Sequence, residues 1–180
     1  MHFAKLGLAG CGTLPEWRTR WSAALRALPA GVQTVAVAYA DWRADRSPSP
    51  DDVLAAAMEH GCRALLVDTF DKRGGGLFAH GPVEVVGVFV ERTRAAGLLA
   101  VLAGSLEGQN LRQAIWLRPD YVAVRGAACR GSRDGQLDAA RTAELVALVA
   151  AEKVSDRLLG SPPRPQANIR LEAIVDLRQG

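Results

Sequence analysis

Short apolar runs alternate along this chain with longer stretches whose apolar residues recur every three or four positions. Five runs read as strands: Phe3–Leu8, Val32–Tyr39, Ala64–Asp68, Leu98–Ala103 and Tyr121–Arg125. They are built mainly from Ala, Val and Leu, the composition of parallel strands buried on both faces. The intervening segments read as helices. Pro15–Leu28 places Trp17, Trp21, Leu25 and Leu28 on one face, at spacings of four, four and three. Asp51–His60 is closed by Gly61, Val83–Ala96 by Gly97, and Glu107–Leu117 is followed by Pro119. Leu137–Lys153 is the last strong helical pattern. Polar or glycine-rich joints span Ala40–Pro50, Asp71–Gly76 and Gly126–Gly135. Gly160–Pro165 has the composition of a linker, and Ala167–Gly180 reads as a small amphipathic tail.

Strands alternating with helices in units of about 30 residues mean βα units and a parallel sheet. A closed barrel of this kind takes eight strands, and five are counted here. The expectation is therefore an open sheet, or a barrel whose first three units are absent.

Composition narrows the function classes. The 180 residues are 49% hydrophobic and 23% charged, which suits one soluble globular domain. A net charge of +3 is mild, and the arginines are scattered without interleaved aromatics, so no nucleic-acid partner is expected. Binding of small anions, phosphates above all, is the more economical reading. Cys11, Cys62 and Cys129 are odd in number and widely spaced, so they form neither a disulfide framework nor a zinc motif, and a cytoplasmic setting fits. No apolar run is long enough to span a membrane, and Met1–Gly10 lacks the pattern of a signal peptide. Only Lys5, Lys72 and Lys153 among 22 basic residues are lysines. A position that keeps Lys in an Arg-rich chain is a candidate for amine chemistry, because Lys can be deprotonated and Arg cannot.

In parallel α/β architectures ligands bind at the carboxyl ends of the strands. Lys5 shares a strand face with Phe3 and Gly7, and such a lysine is costly inside a barrel unless paired or deprotonated. It is a catalytic candidate; the alternatives are a structural pair with Asp68 or a frayed edge strand. Asp68 ends an apolar strand and could take a proton or hold an ammonium, or simply accept loop hydrogen bonds. Lys72, just beyond, could reach a phosphate or be solvated. Gly104-Ser105 and Arg125-Gly126 stand at two adjacent strand ends. There glycine lets backbone approach an anion and arginine adds a fork of donors, unless these are ordinary turns. Asp41 reads as a loop acceptor before a catalytic group. His60 and His80 read as caps or surface residues, Trp17 and Trp21 as packing, and Cys129 as unactivated.

The stretches LLVDTFDKRGGGLFAH (Leu65–His80), GLLAVLAGSL (Gly97–Leu106) and YVAVRGAACRGSRDGQL (Tyr121–Leu137) are similar to the later part of the (5-formylfuran-3-yl)methyl phosphate synthases of methanofuran biosynthesis. FAKLGLAG (Phe3–Gly10) and VAVAYAD (Val35–Asp41) resemble two mid-barrel strands of that family in the right order. The resemblance implies a (β/α)8 TIM-barrel type, truncated to about the last five βα units: strands four to eight over residues 1–155, with a linker and tail over 156–180. It implies a lysine-dependent, aldolase-like lyase that condenses two glyceraldehyde 3-phosphate molecules into a furan aldehyde phosphate, with no cofactor and no metal. Carried over by position, Lys5 would be the proton-transfer lysine and Asp68 and Lys72 acid/base or charge partners. Gly104, Ser105, Arg125 and Gly126 would hold phosphate. The family's imine-forming lysine stands on the first strand, which has no counterpart in these residues. A fragment, a late start or a split enzyme is therefore expected, partnered by further copies or by a separate N-terminal part. The alternative is a non-catalytic module that binds triose phosphate or serves assembly.

Overall fold

The computed structural model describes residues 2–158 and 170–171. Six strands form one sheet: β1 (His2–Leu6), β2 (Val32–Tyr39), β3 (Ala64–Asp68), β4 (Leu99–Leu102), β5 (Tyr121–Val122) and β6 (Arg170–Leu171). Every pairing is parallel, and the spatial order is the chain order. The helices are α1 (Trp17–Arg26), α2 (Pro50–Glu59), α3 (Val83–Ala95), α4 (Gly108–Trp116) and α5 (Ala139–Leu158).

A sheet in which each strand lies beside its predecessor is wound in one direction. Right-handed crossovers then put every connecting helix on the same face. The two apolar clusters follow from this. The larger joins Ala36, Ala38, Leu65, Val67 and Leu102 of the strands to helix residues such as Val53 and Val90. The smaller holds Val37, Ala64, Leu66, Val101 and Ala103, the alternate strand positions, with no helix residue among its members. The period-two alternation thus separates a helix-covered face from one that no described helix covers. Alanines let the covered layer pack closely: Ala36 and Ala38 meet α2, whose Ala56 and Ala57 are fully buried. Ser49 caps α2 by accepting from the Asp52 N–H at 3.1 Å, and Pro50 opens the helix with its pre-set φ. Trp21 is buried against the sheet, with Trp17 beside it at 6.4 Å between ring centroids, as helix-face packing requires.

The five strands and five helices read from the sequence are present, with shifted ends. β1 stops at Leu6 and β5 after Val122. α5 begins at Ala139, because Asp138 caps it, accepting from the Ala140 N–H at 2.9 Å and the Arg141 N–H at 3.1 Å. A sixth strand was not expected. Arg170 and Leu171 pair with Tyr121 and Val122 inside the segment read as a tail. Two residues are too few to show a strand period, so only pairing reveals them. The linker at 160–165 and the rest of the tail lie outside the described residues.

Candidate functional site

A cleft of about 270 Å³ opens at the carboxyl ends of β3, β4 and β5, with Lys5 of β1 on its wall. Its floor is the uncovered sheet face, represented by Leu66, Ala103 and Ala123. All seven positions singled out from the sequence line it: Lys5, Asp68, Lys72, Gly104, Ser105, Arg125 and Gly126.

The turn after β3 folds back on itself. Asp68 Oδ1 accepts from the Thr69 N–H at 2.8 Å and from Lys72 Nζ at 2.6 Å, and the same ammonium donates to the Thr69 carbonyl. The pair is partly buried, so Lys72 is neither solvated nor swinging free. Asp41, only 6% exposed, pins this turn from the end of β2. Its carboxylate accepts from the Phe70 N–H at 2.8 and 3.1 Å and from the Asp71 N–H at 2.8 Å. Burial pushes the Asp41 carboxyl up, but these N–H groups, its own N–H and nearby His80 outweigh it and hold the group below its ordinary value. Asp41 is thus the loop acceptor the sequence suggested, and the loop is the one that carries Lys72.

The turn after β4 depends on glycine. Gly104 has φ +101°, and a Cβ there would lie 3.1 Å from Thr69 Cγ2 and 3.2 Å from the Thr69 nitrogen. Leu77 N–H donates to the Gly104 carbonyl at 2.9 Å, which locks the two turns together. Ser105 also adopts the left-handed region, with φ 49°. After β5, Arg125 turns its Nε–H onto the Arg133 carbonyl at 3.1 Å.

The charge balance follows. Lys5, Lys72, Arg125 and Arg133 face Asp68 and Glu107 across the cleft wall. Lys72 and Asp68 are paired. Among the described residues, Lys5, Arg125 and Arg133 have no acidic partner. A concave surface with three unpaired cations attracts small anions.

Of the alternatives for Lys5, the structural pair with Asp68 is absent and the edge strand is present: Lys5 shares its face with Phe3 and is exposed. The reason is that β1 lies at the sheet's edge and no described helix covers the face that carries Lys5. His60 and His80 sit at helix C-termini as caps. Cys129 is buried at 1% exposure, in keeping with an inert role. Arg133 and Glu107 were missed. For Arg133 a signal existed: it stands between Gly131 and Gly135 in the joint after the last strong strand. Among the described residues no group of His, Cys, Asp and Glu is arranged to hold a metal, and no helix is long and apolar enough to cross a membrane.

A singly wound parallel α/β sheet with a cation-rich cleft at its strand ends defines the class. Within that class, residues 1–146 match the family model described as 4-HFC-P synthase, and the chain belongs to that family. The (5-formylfuran-3-yl)methyl phosphate synthase of Methanopyrus kandleri is 38% identical over 138 residues, covering 74% of this chain and 58% of the relative. The protein of the same name from Methanococcus aeolicus is 32% identical over 151 residues, covering 81% and 64%. A Streptomyces griseus relative is 36% identical over 154 residues, covering 83% and 60%. The chain spans about three fifths of the length of the curated relatives it matches.

Proposed function

We propose that this chain is the phosphate-handling part of a (5-formylfuran-3-yl)methyl phosphate synthase of the (β/α)8-barrel type. The whole enzyme would join two glyceraldehyde 3-phosphate molecules into a furan aldehyde phosphate for methanofuran biosynthesis. The observation that carries the reading is the convergence of Lys5, Asp68, Lys72, Gly104, Ser105, Arg125 and Gly126 on one cleft. Their sequence spacing alone does not require that they meet.

In this reading Arg125 and the backbone at Gly104, Ser105 and Gly126 hold the phosphate ester. Glycine keeps the chain close to the anion, and guanidinium fits it with paired donors. Lys5, unpaired and open to the cleft, moves a proton at the carbon beside the carbonyl. Asp68 keeps the Lys72 ammonium at 2.6 Å, so this pair can relay a proton or steady developing negative charge. The family's imine-forming lysine belongs to a strand outside this set; in a closed barrel the uncovered sheet face would be the interior, with further strands pairing at the sheet's edges. No cofactor enters the scheme, and the reaction suits a cytoplasmic enzyme.

The test supplies glyceraldehyde 3-phosphate to the chain together with the strands that bear the imine-forming lysine. Borohydride should trap an imine adduct, and furan phosphate should accumulate without it. No adduct and no turnover would remove the enzymatic reading.

One observation favours a second reading, a triose-phosphate-binding module that self-associates. Apolar side chains of the inner face remain open, Phe3 at 42% exposure among them, beside the unpaired edge of β1. Such a module would bind phosphate esters unchanged and would sediment as an oligomer. A monomer across a wide concentration range would exclude it.

A further inference from the structure

Residues 129–137, which run from the joint read from sequence into the expected start of the last helix, form a closed hairpin. Cys129 and Leu137 bridge in antiparallel fashion. The Arg130 N–H donates to the Gln136 carbonyl at 3.0 Å, and the Gly135 N–H to the Ser132 carbonyl at 2.9 Å. Gly135 has no room for a side chain, because a Cβ would run into the Arg130 carbonyl oxygen. The base is fastened twice. Arg130 Nε meets Asp138 Oδ2 at 2.5 Å, and Arg141 Nη1 donates to the Cys129 carbonyl at 2.6 Å. Arg133 stands near the tip of this fastened loop, on the cleft wall.

The hairpin brings Arg133 to the cleft wall that Arg125 also lines. Arg125 spends its Nε–H on the Arg133 carbonyl, so its two terminal nitrogens are left for a ligand. Among the described residues Arg125 and Arg133 find no carboxylate, and unlike Arg46 and Arg63, which also find none, both line the cleft. Two like charges lining one cleft repel one another, and an anion bound in the cleft relieves that repulsion. A singly charged anion balances only one of them. A phosphate monoester, doubly charged above its second pKa of about 6, balances both and offers several acceptor oxygens.

We propose that Arg133 is a second phosphate-gripping residue, and that the hairpin selects dianionic phosphate monoesters over singly charged anions. This rests on the reading of the cleft as a phosphate site, and the test keeps the two apart. Inorganic phosphate is titrated calorimetrically into the full chain, into Arg133→Gln and into Arg125→Gln. Each arm is run at pH 5.5 and 7.5, with acetate as a singly charged control. The wild-type chain should bind phosphate, more tightly at the higher pH, and should bind acetate weakly. Arg133→Gln should lose roughly tenfold in phosphate affinity, the weight of one charge-assisted contact. It should also lose most of the gain between the two pH values, which a merely structural loop residue would not control. Arg133→Lys should recover part of both. Arg133 makes no side-chain bond to the rest of the described chain, so folding should survive the change. As a check without mutation, phosphate should slow phenylglyoxal modification of Arg133 in the wild-type chain. If Arg125→Gln weakens binding while Arg133→Gln binds like wild type, and Arg133 reacts equally with and without phosphate, the hairpin proposal is wrong and the phosphate site stands. If the wild-type chain binds no phosphate at millimolar concentration, both fall.

Discussion

Replacing Asp41 by Ala removes the carboxylate that fastens the Phe70–Asp71 stretch of the turn carrying Lys72. Two backbone N–H groups, those of Phe70 and Asp71, lose their acceptor at once. Hydrogen bonds to a charged acceptor contribute about 1.5–3 kcal/mol each. Both donors are only partly buried, so water recovers some of the loss, and the lower part of the range applies to each. The expected destabilisation is about 3 kcal/mol, a large share of the ~5–15 kcal/mol that holds a domain together. Asp41→Asn keeps one acceptor oxygen and should lose about half as much. The pH dependence has a definite sign. The carboxyl is held below its ordinary value in the folded chain, so its contribution is complete above the unfolded value of about 3.9 and disappears as pH falls through the lower folded value. The gap between wild type and Asp41→Ala should therefore be the same at pH 7 and pH 5, and should narrow only below about pH 4. Urea unfolding measures the gap, and hydrogen exchange at the Phe70 and Asp71 amides locates it. A loss under about 1 kcal/mol with both amides still protected would refute the assignment of Asp41 as the anchor of this turn.

Other perturbations probe different parts of the cleft. Gly104→Ala forces a side chain into a left-handed position and against Thr69, and should cost about 1–3 kcal/mol in urea unfolding, with weakened phosphate binding. Lys5→Arg keeps the charge but removes a transferable proton. With the complementary strands supplied it should abolish turnover while leaving imine trapping intact, and trapping lost in that variant would mean that Lys5 itself forms the imine. Asp68→Asn releases the Lys72 ammonium, so turnover should fall at least tenfold with phosphate affinity little changed; equal losses in both would show that the pair serves binding. Burial pushes the Cys62 thiol up, so at pH 8 iodoacetamide should label the half-exposed Cys11 well before Cys62, as read by peptide mass spectrometry.

The sequence by itself determined the layer plan. Its alternation of two periods specifies five strands and five helices, and consecutive βα units allow essentially one handed winding. That local pattern was enough to place Asp68, Gly104 and Arg125 at strand ends, where such folds bind ligands, and the blocks around them were enough to suggest the family. The tertiary structure decided the rest, because it turns on pairs distant in the chain. Asp41 reaches Phe70 and Asp71 across 29 and 30 positions, a partnership no spacing announces. Lys5 has the strand position of an inward lysine, yet it is exposed, because exposure depends on what covers the sheet and not on the strand's own pattern. Arg170 and Leu171 make a strand only because β5 offers an open edge. Arg133 stands between Gly131 and Gly135 of a polar joint, but only a hairpin closed by backbone hydrogen bonds brings it to the cleft.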